Sequence, residues 1–349
     1  MARTATDGRL TAAFLSLLCS SLWDRPLSEG EVSLFSDFTD ADWNAVWKMA
    51  HRQSVSALVG AAVEKLPESV SVSPSLEYAA LAHIDQIADV HRRQRAAVEQ
   101  LTALLRSGGL TPVYLKGLEV ARLYPVPELR ELGDIDVYFP EETCGRALEL
   151  LRPHVEGDFG HAPDGSLHFR FHGFDVDVHR SYFDLPLRAP LPDISSPEAL
   201  LLMLNMHILK HACAAGVGLR QLCDMARAYA ALPYSEPVYL DLCKKAGILR
   251  WTHLLSSFLK KNLGASHLPI SDAQVPDPAP LERIVRRGGN FGHHSHSRQT
   301  ALSMRPFFRK ADTFFRMLSS IPFSLRYAPR TTFHWLSSLL PGQFSRKKA

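Results

Sequence analysis

The sequence lacks the short motifs that identify several large enzyme classes. It contains no GxxxxGK loop, no HExxH pair and no GxSxG elbow. The first two absences exclude a P-loop nucleotide-binding protein and a zincin protease. The third removes the usual sign of a serine hydrolase. Any chemistry of this chain must therefore come from a different arrangement of residues.

Cysteine is scarce and widely spaced. The five cysteines form no CxxC pair; they are Cys19, Cys144, Cys213, Cys223 and Cys243. An odd count without close spacing favours reduced thiols over a disulfide framework or a zinc ribbon. No basic setting marks any of them as a nucleophile, so we interpret them as small apolar residues. We expect a cytoplasmic protein.

Net charge and long apolar runs are also lacking. The formal charge is +3, which gives no global signature of nucleic-acid binding. No apolar run is long enough to span a bilayer. Residues 1–23 place Arg3 and Arg9 before a short apolar run, as a signal peptide does, but Asp7 and the lack of a small-residue cleavage site argue against one. The helical spacing of the apolar residues there predicts an amphipathic helix.

Helical patterns lie on both sides of a short α/β segment, which predicts an α+β fold. Hydrophobic residues make up 46% of the chain, enough for two or three domains. We predict a small mixed-sheet core flanked by N- and C-terminal helical domains. The predicted boundaries are 1–107 for the first helical domain, 108–183 for the core, 184–304 for the second helical domain and 305–349 for a basic, aromatic tail.

The N-terminal domain and the core have distinct patterns. Residues 40–66 predict one helix with an aspartate cap, and residues 75–109 predict a long helix ended by two glycines. The core order is then strand, helix, strand, helix and hairpin. Its segments are TPVYLKG (111–117), a helix of about two turns at 118–124, LGDIDVYF (132–139), EETCGRALELLRPH (141–154) and LHFRFHGFDVDVHR (167–180).

Two of the predicted strands carry paired carboxylates. Side chains alternate along a strand, so Asp134 and Asp136 share one face, as do Asp175 and Asp177. If these strands are neighbours, three carboxylates converge and repel one another unless divalent cations neutralise them. Hard oxygen ligands suit Mg²⁺, with Mn²⁺ as the alternative ion. The repulsion also predicts that Asp136→Asn stabilises the metal-free protein.

A single DxD pair is more often a strand end or a helix cap than a metal site. The evidence for a metal site comes from the order of the motifs: a strand, a Lys-Gly turn, a helix, a strand with GDID and a later strand with a further aspartate. That order resembles the DNA polymerase β-like nucleotidyltransferase superfamily, and more closely a family of uncharacterised bacterial nucleotidyltransferases within it. The resemblance covers roughly residues 20–300. The shared motifs here are YLKG at 114–117, YP at 124–125, Arg130, GDIDVYF from Gly133, VDVHR around Asp177, HILKH at 207–211 and LCDMA at 222–226.

The resemblance implies which residues form the metal site. Asp134 and Asp136 would bind metal on the second strand, and Asp177 would complete the catalytic set. Asp177 is chosen over Asp175 because it precedes His179 in the DxH pattern of the family. Asp175 would be an exposed neighbour at the edge of the hairpin.

The resemblance also implies a nucleotide-binding turn. Lys116 and Gly117 stand where the superfamily contacts the triphosphate. A lysine can pair with phosphate as a point charge, and a glycine lets backbone N–H groups approach. The alternative is that Lys116 only balances charge, by pairing with Glu119 or with one of the aspartates.

Further residues are weaker candidates for binding the nucleotide. Arg130 would reach phosphate, or else form a surface ion pair with a neighbouring glutamate. His179 follows the third carboxylate. His207 and His211, with Lys210 between them, share one helix face; they would cover the nucleotide or acceptor pocket, or else form a polar stripe where helices pack.

Together these patterns predict a metal-dependent nucleotidyltransferase. It would move a nucleoside monophosphate from an NTP such as ATP to an acceptor hydroxyl and release pyrophosphate. The acceptor, a small molecule, a protein or an RNA, stays open. One alternative is a non-catalytic, antitoxin-like protein that keeps the fold for binding. Another is a nucleic-acid-binding protein whose basic tail, residues 305–349, contacts an anionic partner.

Overall fold

The computed structural model describes residues 2–161, 167–184, 192–213, 216–270, 275–288, 320–330 and 332. The chain divides into two compact units, Met1–Tyr182 and Phe183–Ala349. In the part of the chain that the structure describes, no helix is both long enough and apolar enough to cross a membrane. The basic tail predicted at 305–349 lies mostly outside the described residues.

The first unit begins with helices and continues into a five-stranded sheet. Its α-helices are α1 (Ala2–Leu22), α2 (Glu29–Val32), α3 (Asp40–Gln53), α4 (Ser56–Val63), α5 (Pro74–Ser107), α6 (Leu118–Ala121) and α7 (Glu141–Leu151). Its strands are β1 (Val113–Tyr114), β2 (Ile135–Tyr138), β3 (Glu156–His161), β4 (Leu167–Phe171) and β5 (Phe174–His179). The predicted mixed α/β fold class is confirmed.

The helix predicted over residues 40–66 is in fact two helices. Ser54 adopts a left-handed conformation, with φ 52° and ψ 49°, and this ends α3 before α4 begins. The cap also differs from the prediction. Thr39 is the N-cap residue, and its side chain and that of Asp42 hydrogen-bond each other's backbone N–H groups. The long helix α5 is confirmed, and it ends at the predicted glycine, Gly108.

The sheet has the strand order β1-β2-β5-β4-β3. Strand β5 runs parallel to β2, and every other pair is antiparallel. The predicted hairpin is confirmed, with His172 and Gly173 in the turn between β4 and β5. The central pair β2 and β5 is therefore the place where the two DxD segments meet.

Strand β3 was not predicted from the sequence. Its six residues, EGDFGH, include two glycines and one large apolar side chain, so they lack the alternation that indicates a strand. The pairing of β3 with β4 also shifts register between Glu156 and Gly160. Gly160 lies so close to the ring of His168 that a Cβ there would overlap its Nε2. The close approach of His168 accounts for a glycine at this point of the strand.

One face of the sheet packs on α5 and α7. The shared core contains side chains from both helices and from three strands: Ala97, Leu101, Leu105, Ile135, Val137, Cys144, Ala147, Leu151, Leu167, Phe169, Phe171, Val176 and Val178. The apolar residues of α5 recur at helical spacing, which gives this helix one buried stripe. The helix therefore lies along the sheet and can reach the ends of several strands.

The second unit is helical in its described residues. Its helices are α8 (Pro197–Cys213), α9 (Leu219–Ala231), α10 (Glu236–Ala246), α11 (Leu249–Leu263) and α12 (Ala279–Gly288), with a further helical segment at 320–327. Ser196 caps α8 as predicted, because its hydroxyl accepts a hydrogen bond from the N–H of Ala199. Asn205 is fully buried and donates to Tyr239 and Thr252, which ties three helices together.

Leu101 gives a direct test of the core between α5 and the sheet. Leu101→Ala removes a fully buried side chain and should lower the free energy of unfolding by about 2–5 kcal/mol. Glu99→Ala, an exposed change on the same helix, is the control and should change it by less than about 0.5 kcal/mol. Chemical denaturation of both variants measures the difference. Equal unfolding midpoints would contradict this packing.

Candidate functional site

The site lies where strands β1, β2 and β5 start or end side by side. Asp136 on β2 stands opposite Asp177 on β5 in the parallel register, and Tyr138 stands opposite His179. The antiparallel pairing of β1 and β2 continues with a hydrogen bond from Leu115 N–H to the Asp136 carbonyl. Lys116 follows immediately, so the sheet itself delivers a lysine, two aspartates and a histidine to one place.

Asp136 is the most buried carboxylate of the group, with its side chain 5% exposed. Lys116 Nζ lies 2.9 Å from Asp136 Oδ1, and His179 Nε2 donates a hydrogen bond of 2.7 Å to the same oxygen. Burial by itself raises the pKa of Asp136, but the charge of Lys116 and the hydrogen bond from His179 outweigh it and hold the pKa far below its usual range. Asp136 is thus a stabilised anion.

Asp177 has the opposite electrostatic balance. Burial, the nearby charges of Asp134 and Asp136 and a hydrogen bond with Asp134 together raise its pKa to about 6. His179 opposes these effects only in part. The carboxylate repulsion expected from the sequence is therefore present, and its effect is to disfavour the anion of Asp177. Asp136→Asn would relieve part of this repulsion, but it would also remove the partner of Lys116 and His179, so we no longer expect it to stabilise the metal-free protein.

The two remaining acids of the DxD segments lie toward solvent. Asp134 precedes β2 in an exposed position and interacts with Asp177. Asp175 is 74% exposed at its side chain and lies 3.6 Å from Arg170 on the neighbouring strand. Asp175 therefore has the exposed position at the hairpin edge that the sequence analysis gave it.

A sharp turn follows Lys116. Gly117 has φ 63° and ψ −119°, a backbone conformation that residues with a Cβ rarely adopt. A Cβ at this position would have room, since its nearest neighbours lie 3.8 and 3.9 Å away. The glycine is therefore required by its backbone conformation and not by crowding. The turn starts the short helix α6.

Arg130 and the C-terminal histidines are not among the ligand atoms that meet at this carboxylate group. Arg130 is buried, so it is not on the surface as the ion-pair alternative assumed. His207, Lys210 and His211 belong to the second unit, where Asp184 accepts hydrogen bonds from His207 Nδ1 at 2.7 Å and Lys210 Nζ at 2.9 Å. The rings of His207 and His211 are 4.5 Å apart, edge to face. A role of these residues in nucleotide binding stays a prediction.

The donor set fits a divalent cation. Asp136, Asp177 and His179 each offer a ligand atom, and these three atoms lie within 4.8 Å of one another. Among the residues that the structure describes, they are the one such group of three. Two carboxylates suit Mg²⁺ and Mn²⁺, and the imidazole favours Mn²⁺ as a nitrogen ligand. The histidine was predicted to contact nucleotide, and its place in this group came from the fold alone.

Comparison with known proteins agrees with this geometry. Residues 39–195 match the model of a family described as an uncharacterised nucleotidyltransferase, and no curated protein matches the chain. The match contains the sheet, the two DxD segments and helices α3, α4, α5 and α7. The middle of this chain is therefore a nucleotidyltransferase domain. The matched family is the one that the motifs between residues 114 and 180 predicted.

The two carboxylates should respond oppositely to loss of charge. Asp177→Asn removes a repelled anion and should raise the free energy of unfolding of the metal-free protein by about 1 kcal/mol. The melting temperature should then rise by a few degrees. Asp136→Asn removes the partner of Lys116 and His179 and should lower the melting temperature. Scanning calorimetry with EDTA present checks both. Asp175→Asn is the control, and equal shifts for all three variants would contradict the assigned charges.

Proposed function

We propose that this protein is a metal-dependent nucleotidyltransferase that moves a nucleoside monophosphate from an NTP to an acceptor hydroxyl and releases pyrophosphate. The single observation that carries the proposal is the register of β2 and β5, which sets Asp136 opposite Asp177 inside the segment that matches the nucleotidyltransferase family. Asp136, Asp177 and His179 offer three ligand atoms there, and Asp134 interacts with Asp177.

Asp134, Asp136 and Asp177 would hold Mg²⁺ or Mn²⁺, and His179 is a fourth donor in reach of the same position. When bound, the cations would neutralise the triphosphate and the developing charge on the leaving pyrophosphate. The chain's own residues position the reactants. Most of the catalysis would then come from orientation and charge neutralisation.

Asp177 is the residue we propose as the proton acceptor. The acceptor hydroxyl oxygen attacks the α-phosphorus, the bond from that phosphorus to the bridging oxygen breaks, and pyrophosphate leaves with the electron pair. The hydroxyl proton passes to the Asp177 carboxylate. Burial and acidic neighbours raise the pKa of Asp177 to about 6 without metal, and a bound cation would lower it, so the assignment rests on the position of Asp177 opposite Asp136.

Lys116 has two roles in this proposal. Without metal it neutralises Asp136, at a distance of 2.9 Å. With a cation held at Asp136, the ammonium group of Lys116 would be released from that neutralising role and would pair with the phosphates of the nucleotide. The two roles that the sequence left open, contact with phosphate and pairing with an aspartate, would then be stages of one exchange, in which Lys116 pairs with Asp136 first and with the triphosphate later.

Transfer should be detected by label. Each α-³²P NTP is incubated with Mg²⁺, the protein and fractionated cell extract, and labelled products are separated by size and chemistry. We expect label from at least one NTP to enter one class of acceptor, and the double variant Asp134→Asn/Asp136→Asn to transfer none. Tight Mg²⁺–NTP binding without transfer in any fraction would favour the non-catalytic, antitoxin-like alternative.

The pair Asp177 and Asp175 supplies a matched comparison. Asp177→Ala should abolish transfer because it removes a ligand and the proton acceptor. Asp175→Ala should retain most activity because its side chain is exposed and lies beside Arg170. Rates of label transfer under identical conditions give the ranking. The reverse ranking would show that the third carboxylate is misassigned.

Lys116→Met tests the proposed exchange. We expect Mn²⁺ to bind more tightly without nucleotide, because the competing ammonium group is gone. NTP affinity should fall by about one to two orders of magnitude, since a charge-assisted contact contributes about 1.5–3 kcal/mol. Affinity for the monophosphate should fall less. Titration calorimetry measures all three.

The control for that variant is Lys65→Met, which breaks another lysine–aspartate pair, an exposed one with Asp24 at 2.8 Å. It should leave Mn²⁺ and nucleotide affinities unchanged. If Lys116→Met lowers the melting temperature but alters no affinity, Lys116 only balances charge.

A further inference from the structure

The backbone segment that leads into the carboxylates is held by buried polar side chains from two helices. This segment, residues 130–133, has no strand partner of its own, because β2 starts only at Ile135. A loop next to a metal site needs a fixed backbone, since ligand positions must be held to a fraction of an ångström. The first unit supplies that constraint through hydrogen bonds from α4 and α5.

Helix α5 contributes two of the contacts. His91 Nε2 donates to the carbonyl of Arg130 at 2.7 Å, and Gln94 Nε2 donates to the carbonyl of Gly133 at 2.7 Å. Both side chains are 1% exposed. They lie one turn apart on the buried stripe of the helix, at places where an apolar residue would otherwise pack on the core. Such buried polar groups are costly unless they are satisfied, so their presence indicates a specific role.

Helix α4 contributes the third contact. Its first residue, Ser56, donates from its backbone N–H and its hydroxyl to Glu131 Oε1, at 2.7 and 2.6 Å. His51 and His83 each lie 3.1 Å from the same hydroxyl. Burial alone raises the pKa of Glu131, but the hydrogen bonds from His83 and Ser56 lower it overall. The carboxylate is therefore held as an anion at the start of α4.

Gln94 differs from the other contacts because it lies near both sides of the site. Its amide nitrogen holds Gly133, the residue just before Asp134. Its amide oxygen lies 3.9 Å from the point that a Cβ on Gly117 would occupy. One side chain thus lies between the turn that follows Lys116 and the turn that precedes the first metal carboxylate.

We propose that Gln94 is a positioning residue for the metal and phosphate groups: it fixes the Gly133 carbonyl, and through it the approach of Asp134 and Asp136, against the Gly117 turn. This inference rests on the proposed function. Gln94 does not itself touch substrate or metal in this assignment. Its effect passes through the backbone, as partners behind metal ligands act in other sites, where their loss costs about 10–100-fold in metal affinity.

The test is Mn²⁺ binding by the full chain, measured by titration with electron paramagnetic resonance. Gln94→Met keeps the length of the side chain and removes the donor, and Gln94→Asn keeps the amide but shortens its reach. Both should weaken Mn²⁺ binding by about tenfold or more. Hydrogen exchange of the amides at 133–136 should become faster in both variants. All titrations are run well below each variant's measured melting temperature, so that loss of folded protein does not contribute.

Ser20→Ala is the matched control, because Ser20 also donates a side-chain hydrogen bond to a backbone carbonyl, that of Arg25, at 2.7 Å in the same unit. It should cost stability and leave Mn²⁺ affinity unchanged. If the Gln94 variants lose stability but bind Mn²⁺ as the wild type does, the positioning role is overturned and the proposed function stands. If the wild type binds Mn²⁺ no better than Asp134→Asn/Asp136→Asn, the proposed function and the positioning role both fall.

Discussion

The parallel register of β2 and β5 is the constraint on which the candidate site depends. It fixes Asp136 and Asp177 opposite each other on neighbouring strands, and a shift of one residue would turn one of them into the core. Two carboxylates at this separation repel strongly when partly buried. The two carboxylates differ in how far their charge is stabilised. Lys116 and His179 stabilise the charge of Asp136, while Asp177 keeps a raised pKa of about 6 because burial and its acidic neighbours disfavour its anion.

Other elements of the first unit hold the residues around the β2–β5 pair in place. Strand β1 ends beside the start of β2, which brings Lys116 to Asp136, and Gly117 turns the chain away with a backbone conformation suited to glycine. Helix α5 packs its apolar stripe on the sheet and also directs His91 and Gln94 at the segment before β2. Helices α4 and α5 therefore support the site, and both lie within the family match, which starts at residue 39.

Local pattern was enough to find the aspartates that meet on β2 and β5, and not enough to find the residues that hold the segment before β2. The DxD spacing, the hairpin turn and the glycine end of α5 all depend on near neighbours, and the sequence revealed them. Strand β3 was missed because its two glycines leave no alternation of apolar and polar residues. The break between α3 and α4 was missed because it depends on the left-handed conformation of Ser54, and no turn motif marks that position in the sequence. The role of Gln94 was missed for another reason: its partner, Gly133, lies 39 residues away. A signal did exist, since a glutamine and a histidine interrupt an otherwise apolar helical stripe.

The central claim is that Asp136 and Asp177 share a divalent cation, which displaces Lys116 toward the nucleotide. The most direct measurement is the anomalous diffraction of Mn²⁺ in crystals grown with an α,β-methylene NTP analogue, which cannot transfer its nucleotide. The account predicts a Mn²⁺ peak between the carboxylates of Asp136 and Asp177, with Lys116 Nζ on a phosphate oxygen instead of at 2.9 Å from Asp136. An ordered analogue with no Mn²⁺ at these carboxylates, and Lys116 still paired with Asp136, would contradict it.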